Sequence, residues 1–141
     1  DRKKELFITS GGENISPANI ENHLKEHPLI GQALAYGEGR PYPIALLTLD
    51  PEVAPEWARA RGISFGSLAE LATHPDVLKE VEAGVEAANR RLARVQQVKR
   101  WRLLPDEWTP DSGELTPTLK LKRRRIHAKY ADVIDDLYGG A

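Results

Sequence analysis

The sequence has no cysteine and no methionine among its 141 residues. The first absence excludes a disulfide framework, a thiol nucleophile and a cysteine-ligated metal. The second, with a start inside the charge run Asp1-Arg-Lys-Lys-Glu5, reads as a piece of a longer polypeptide. No apolar run approaches the roughly 20 residues needed to span a bilayer, and the charged opening cannot serve as a signal peptide. An excess of one charge is missing too: 20 Lys and Arg face 21 Asp and Glu, for a net charge of -1 and a pI near 6.5. No nucleic-acid footprint is therefore expected. Hydrolase signatures are also lacking. No serine stands in a nucleophile elbow, no carboxylate pair rises above the solvated acidic background, and Gly37-x-Gly39 lacks the third glycine of a dinucleotide loop, so it reads as a turn.

What is present suits one α+β domain, since a chain of this length buries about two-thirds of its unfolded surface. Leu6 to Thr9 has strand character, Gly11-Gly12 can take positive φ, and Asn14-Ile15 resumes, which predicts an N-terminal β-hairpin. Ser16 and Pro17 are an N-cap and first helical position, with Ile15 stapled onto Ile20, in a helix ending at His27-Pro28. Ile30 to Tyr36 and Ile44 to Leu49 are two strands of one small antiparallel sheet, the second the more buried. A short helix around Trp57 is opened by Asp50-Pro51 and closed by Gly62, and Ser67 to Ala72 is a further turn. The longest helix is predicted over Pro75 to Val95, entered through Thr73, with Leu78, Val81, Val85, Ala88, Leu92 and Val95 on one face. Val98 to Leu103 alternates as a half-buried strand ending at Pro105, and Trp108 to Ser112 reads as a polar loop. A C-terminal helix over Lys122 to Tyr138 carries Ile126, Tyr130, Val133, Ile134 and Leu137 on its buried face and stops at Gly139. Short strands and flanking helices in mixed order imply α+β.

Two stretches invite chemistry. His23-Leu24-Lys25-Glu26-His27 fits the H-x-x-E-H spacing of inverted zinc proteases, but the helix stops at Pro28 and no third ligand is apparent, so no metal site is assigned. The stronger stretch runs from Gly113 to Arg125. Leu115, Leu119 and Leu121 alternate with polar residues, so Thr116 to Lys120 reads as an exposed loop on apolar anchors that runs into the last helix. Arg123, Arg124 and Arg125 stand at the positive end of that helix and Asp132, Asp135 and Asp136 at the negative end. Each misplaced charge costs about 0.3 kcal/mol or more unless a partner or an anion offsets it. The arginines either pair within the fold or face an anion. Lys120 is the candidate functional residue, directed at a small anion rather than a duplex.

Together, Asp1 to Glu21 (Asp-Arg-Lys-Lys-Glu-Leu-Phe-Ile-Thr-Ser-Gly-Gly-Glu-Asn-Ile-Ser-Pro-Ala-Asn-Ile-Glu) and Gly113 to Arg124 (Gly-Glu-Leu-Thr-Pro-Thr-Leu-Lys-Leu-Lys-Arg-Arg) resemble the hinge and catalytic-lysine motifs of the adenylate-forming acyl-CoA synthetases. Thr-Pro-Thr-Leu-Lys-x-Lys-Arg is similar to the long-chain fatty-acyl branch, as is Lys99-Arg-Trp-Arg-Leu-Leu-Pro105. Asp1 replaces the commoner glycine and Glu5 the commoner aspartate. The resemblance covers essentially the whole chain, but only the family's small mobile C-terminal domain. It implies an ATP-dependent long-chain fatty-acid–CoA ligase, AMP-forming, whose large N-terminal adenylation domain binds ATP, Mg2+ and the fatty acid. By motif match, Lys120 is the catalytic lysine of acyl-adenylate formation, Lys4 the hinge, and Arg2 a residue near the ribose. Ser10, Gly11 and Gly12 match the strand lining the coenzyme A tunnel, and Arg123 and Arg124 either approach coenzyme A phosphates or pair with the fold, the latter favoured. The resemblance further implies a cytoplasmic enzyme, with peripheral membrane association of the full-length chain allowed, and an isolated 141-residue piece that makes no acyl-CoA. The alternative is a binding or scaffold module that keeps the fold without the chemistry.

Overall fold

The computed structural model describes residues 5–139. Ser16 accepts from the Asn19 N–H at 3.2 Å and Pro17 opens helix α1, Pro17–Leu24, so this start follows the sequence. Before it, strands β1 (Phe7–Ile8) and β2 (Asn14–Ile15) pair antiparallel in the expected hairpin. Ile15 and Ile20 are both fully buried in one cluster, as a hydrophobic staple requires.

The main sheet has three strands: β3 (Ile30–Tyr36), β4 (Ile44–Leu49) and β5 (Arg100–Leu104), in that order. β3 and β4 are antiparallel, but β5 runs parallel to β4, so the sheet is mixed rather than purely antiparallel. The parallel pairing follows from the crossover between β4 and β5, which carries α2 (Val53–Ala60), α3 (Leu68–Leu71) and α4 (Pro75–Arg90). Every residue of central β4 is buried. Its side chains alternate between two cores, with Ala45, Leu47 and Leu49 facing the layer of α1 to α4 and Ile44 and Leu46 facing the C-terminal helices.

Several boundaries differ from the sequence expectation, and α1 already ends at Leu24 rather than at His27-Pro28. The long helix ends at Arg90, because the Asn89 side chain turns out of the helix to bond the Val98 N–H at 2.8 Å and its carbonyl at 2.9 Å, drawing the chain back toward the sheet. Its N-cap is His74 rather than Thr73, with the imidazole accepting from the Asp76 N–H at 3.1 Å. The C-terminal helix is two, α5 (Arg123–Lys129) and α6 (Ala131–Leu137), meeting at Tyr130 with φ -109°. The bend falls where the Tyr130 phenol is held by the Trp108 indole N–H at 3.1 Å and donates to Asp106 at 2.6 Å. Trp108 is therefore a core residue, 4% exposed, and not part of a polar loop.

The hairpin is fastened to the sheet through the turn at 37–40. Gly39 N donates to the Ile8 carbonyl at 2.8 Å and Ser10 N to the Arg40 carbonyl at 2.9 Å. Gly37 lies under the buried Phe7 ring, where an added Cβ would stand 2.4 Å from Phe7 Cε1. Gly37→Ala is expected to lower stability by about 1–3 kcal/mol through overpacking. An unchanged thermal midpoint would show that the Phe7 ring can step aside.

Candidate functional site

Lys120 lies at the edge of a turn that the backbone builds as a small hairpin. Leu115 and Leu121 form an antiparallel bridge, and Lys122 N donates to the Glu114 carbonyl at 2.8 Å. Thr116 clamps the next rung, donating its N–H to the Lys120 carbonyl at 2.8 Å and accepting the Lys120 N–H on its hydroxyl at 3.0 Å. The Leu119 N–H donates to the Thr116 carbonyl at 2.8 Å and closes the tip. Proline at 117 and threonine at 116 thus make a rigid platform, and the exposed Lys120 ammonium is presented from it. Leu115 and Leu121 serve as anchors in the core facing the C-terminal helices. Leu119 does not. It is 59% exposed, because the turn reverses the chain before the alternation reaches it.

This platform forms one wall of a groove of about 1030 Å³. Lys25, Lys120, Lys122, Arg123, Arg124 and Arg125 line it, with the carboxylates of Glu5 and Glu21 on the same surface. Both carboxylates engage Arg123. Glu21, on the buried side of α1 and 5% exposed, takes a two-pronged contact from the guanidinium at 2.6 and 2.7 Å and accepts the Ala35 N–H at 2.7 Å. Glu5 approaches Arg123 Nε at 3.3 Å. Burial pushes the Glu21 carboxyl above its usual range, with Arg123 and the Ala35 N–H pulling against it. Burial also works against the Arg123 charge, but Glu21 and then Glu5 outweigh it and hold the guanidinium above its ordinary value. Burial, and then the same guanidinium, lower His127, which stands edge-on to Tyr36 at 4.9 Å. The unfavourable placement of Arg123 at a helix N-terminus is thereby offset within the fold, in line with the expected pairing. At the other end Asp135 meets Arg40 at 3.1 Å and Asp136 meets Arg102 at 2.6 Å. Arg124 and Arg125 are exposed along the groove.

Ser10, Gly11 and Gly12 form the exposed turn between β1 and β2 and do not line the Lys120 groove. Only Gly12 has positive φ, at 89°. A Cβ added to Gly11 would meet nothing closer than the Glu13 carboxylate at 3.1 Å. The domain's own backbone therefore does not demand glycine at 11. Arg2 and Lys4 lie outside the described residues. The two histidines are employed structurally: His23 Nδ1 contacts the Asn19 carbonyl at 2.8 Å, while His27 accepts the Leu29 N–H at 3.1 Å and meets Glu80 at 2.9 Å. Among the described residues no group of three His, Cys, Asp or Glu could hold a metal ion. The Glu21–Arg123 pair was missed in the sequence. Its signal is an acid at position 21 on the stripe Pro17, Ile20 and Leu24 that α1 buries.

The family described as AMP-binding enzyme C-terminal domain matches residues 4–141. The chain is 41% identical over 138 residues to the long-chain-fatty-acid–CoA ligase FadD15 of Mycobacterium tuberculosis, covering 97% of this chain and 23% of that protein. It is 49% identical over 139 residues to the putative fatty-acid–CoA ligase fadD11 of the same species, covering 98% and 24%. The chain thus spans about a quarter of the length of these relatives. Among solved structures, the A domain of carboxylic acid reductase from Segniliparus rugosus, in complex with AMP and a co-purified carboxylic acid, shares the fold. The TM-score is 0.75 at 22% identity, over 99% of this chain and 20% of that one.

Proposed function

The chain belongs to the AMP-binding enzyme C-terminal domain family, and from that premise we infer that it is the mobile C-terminal domain of an AMP-forming, long-chain fatty-acid–CoA ligase. In the first half-reaction a fatty-acid carboxylate oxygen attacks the α-phosphorus of ATP, giving acyl-adenylate and pyrophosphate. In the second, the coenzyme A thiol attacks the acyl carbonyl, loses its proton and displaces AMP. ATP with its Mg2+, and the acyl chain, are held by the large N-terminal domain, the partner of this one. Lys120 supplies a preorganised cation to the charge that develops in the first step. After rotation of the domain, Ser10, Gly11 and Gly12 line the approach of the thiol. Arg2 stands near the ribose and Lys4 is the hinge. The isolated piece, holding one wall of the site, makes no acyl-CoA. No helix among the described residues is long and apolar enough to cross a membrane.

The observation that carries this function is the separation of the two elements. A backbone-clamped lysine faces a cationic groove, and a glycine turn that the fold does not require at 11 lies outside that groove. A scaffold module would have no use for two such elements on separate surfaces. The test is a split of the half-reactions in the full-length enzyme. Gly11→Leu meets no positive-φ demand and requires only that the Glu13 side chain give by a few tenths of an ångström, so the protein should fold, form adenylate at the wild-type rate and make thioester about tenfold more slowly. Lys4→Pro should behave alike, because proline removes the backbone freedom that rotation uses. Equal losses in both half-reactions would show that these residues are misplaced.

A further inference from the structure

Leu119 is a residue for which the folding of this domain has no evident use. It is the single non-glycine among the described residues with φ in the left-handed region, at 68°. There the Cβ of an L-residue crowds its own backbone, and only glycine or asparagine adopts such turns readily. The conformation is imposed by the clamp around it: Leu119 N and Lys120 N both bond Thr116, and Leu115 bridges Leu121 behind them. The side chain stays 59% exposed among the cations that line the groove. A large apolar group held strained and exposed at an otherwise polar tip is matched to a surface outside this chain.

The geometry points to Leu119 as a docking anchor that seats in an apolar recess on the large remainder of the same polypeptide and thereby positions Lys120. The inference rests on Lys120 acting in adenylate formation. This chain is 23% of the length of a matched relative, so the surface that receives the loop lies in the part beyond it. The Cα atoms of Leu119 and Lys120 are about 3.8 Å apart. Both residues line the same groove, so a surface that the ammonium reaches across that groove also faces the leucine. Leu119 is a positioning residue. It sets where the cation arrives and takes no part in the chemistry.

The experiment uses the full-length enzyme with Leu119→Asn, Leu119→Gly and Leu119→Met. Fatty-acid-dependent ATP–pyrophosphate exchange should fall about tenfold in the first two and stay within about twofold of wild type in the third. Thioester formation from supplied acyl-adenylate should stay within about twofold in all three. Asparagine accepts the left-handed turn, so L119N separates loss of the apolar contact from a loosened loop. Both polar and glycine variants should melt no earlier than wild type, because turn strain is relieved. Exchange by L119N within twofold of wild type would overturn the anchor, as would an earlier melt, an equal loss of thioester formation, or a Leu119-dependent dimer of the enzyme. Lys120→Ala is assayed beside them. If K120A loses exchange and L119N keeps it, the anchor alone falls. If K120A keeps exchange, the Lys120 assignment falls and the anchor with it.

Discussion

Replacing Lys120 with alanine in the full-length enzyme should slow acyl-adenylate formation by about 10²- to 10³-fold, the usual effect of removing one preorganised donor from developing charge. The loop should keep its shape. The hydrogen bonds that build the loop use the main chain of Lys120 and the backbone and hydroxyl of Thr116, so alanine keeps all of them. The side chain is exposed, and such substitutions usually change stability by about 0.5 kcal/mol or less. Thioester formation from supplied acyl-adenylate should run near the wild-type rate, because on the proposed function that step employs the Ser10 to Gly12 turn, which lies outside the Lys120 groove. Lys122→Ala is the control. Lys122 is half-buried at the start of α5, where its main chain holds the Glu114 carbonyl, and its loss should slow adenylation far less. Exchange of behaviour between the two mutants would move the catalytic role to Lys122. Adenylation by K120A within about threefold of wild type, or an unfolded K120A domain, would remove the lysine from the mechanism.

The placement of Lys120 on an exposed loop and of Lys122 at the start of α5 was open to sequence reasoning because local signals governed it. Gly113, Pro117 and the alternating leucines mark the loop, the capping chemistry of Ser16-Pro17 placed the start of α1, and the apolar runs of β3 and β4 placed those strands at their observed bounds. Pairing between distant segments was less legible. Parallel docking of β5 depends on the crossover that separates it from β4, and no local pattern distinguishes a parallel from an antiparallel neighbour. Trp108 looked polar because of its flanks, yet its indole finds the Tyr130 hydroxyl across the chain, and that contact buries it. Leu119 read as a third anchor since alternation was carried through a turn that in fact breaks it. In each case a tertiary contact or a turn geometry overrode a correct local pattern.

The same distinction decides what the arginines do. A run of basic residues at a helix start resembles an anion site, but a guanidinium already held by two carboxylates is not available to a ligand in the way that exposed Arg124 and Arg125 are. Arg123 joins α5, the helix that follows the Lys120 loop, to Glu21 of α1, which in turn holds the Ala35 N–H of β3, and reaches Glu5 at the start of the described residues. The ion pair is thus a strut between the lysine loop and the sheet, set on the side from which the chain enters the domain.

Arg123→Met should therefore lower the stability of the domain by about 3–5 kcal/mol, the usual consequence of leaving a buried carboxylate without its counter-charge. For a chain of this size that corresponds to a thermal midpoint lower by about 10 °C or more. The side chains involved are 15% and 6% exposed, so solvent screens the pair little. Methionine preserves much of the apolar stem, which confines the loss to the charge and its hydrogen bonds. Arg123→Lys keeps the charge but not the planar fork that fits both Glu21 oxygens, and should fall between Met and wild type. In the double variant Glu21→Gln with Arg123→Met, the neutral amide still accepts the Ala35 N–H and no charge is stranded. It should be more stable than R123M alone, and a double-mutant cycle would read the coupling. Adenylation should fall with R123M even below its melting range, because Lys120 is three residues from the freed strut, while the KM for coenzyme A stays near wild type. The opposite pattern, a normal melt with a KM for coenzyme A raised about tenfold, would assign Arg123 to the coenzyme A phosphates instead of the fold.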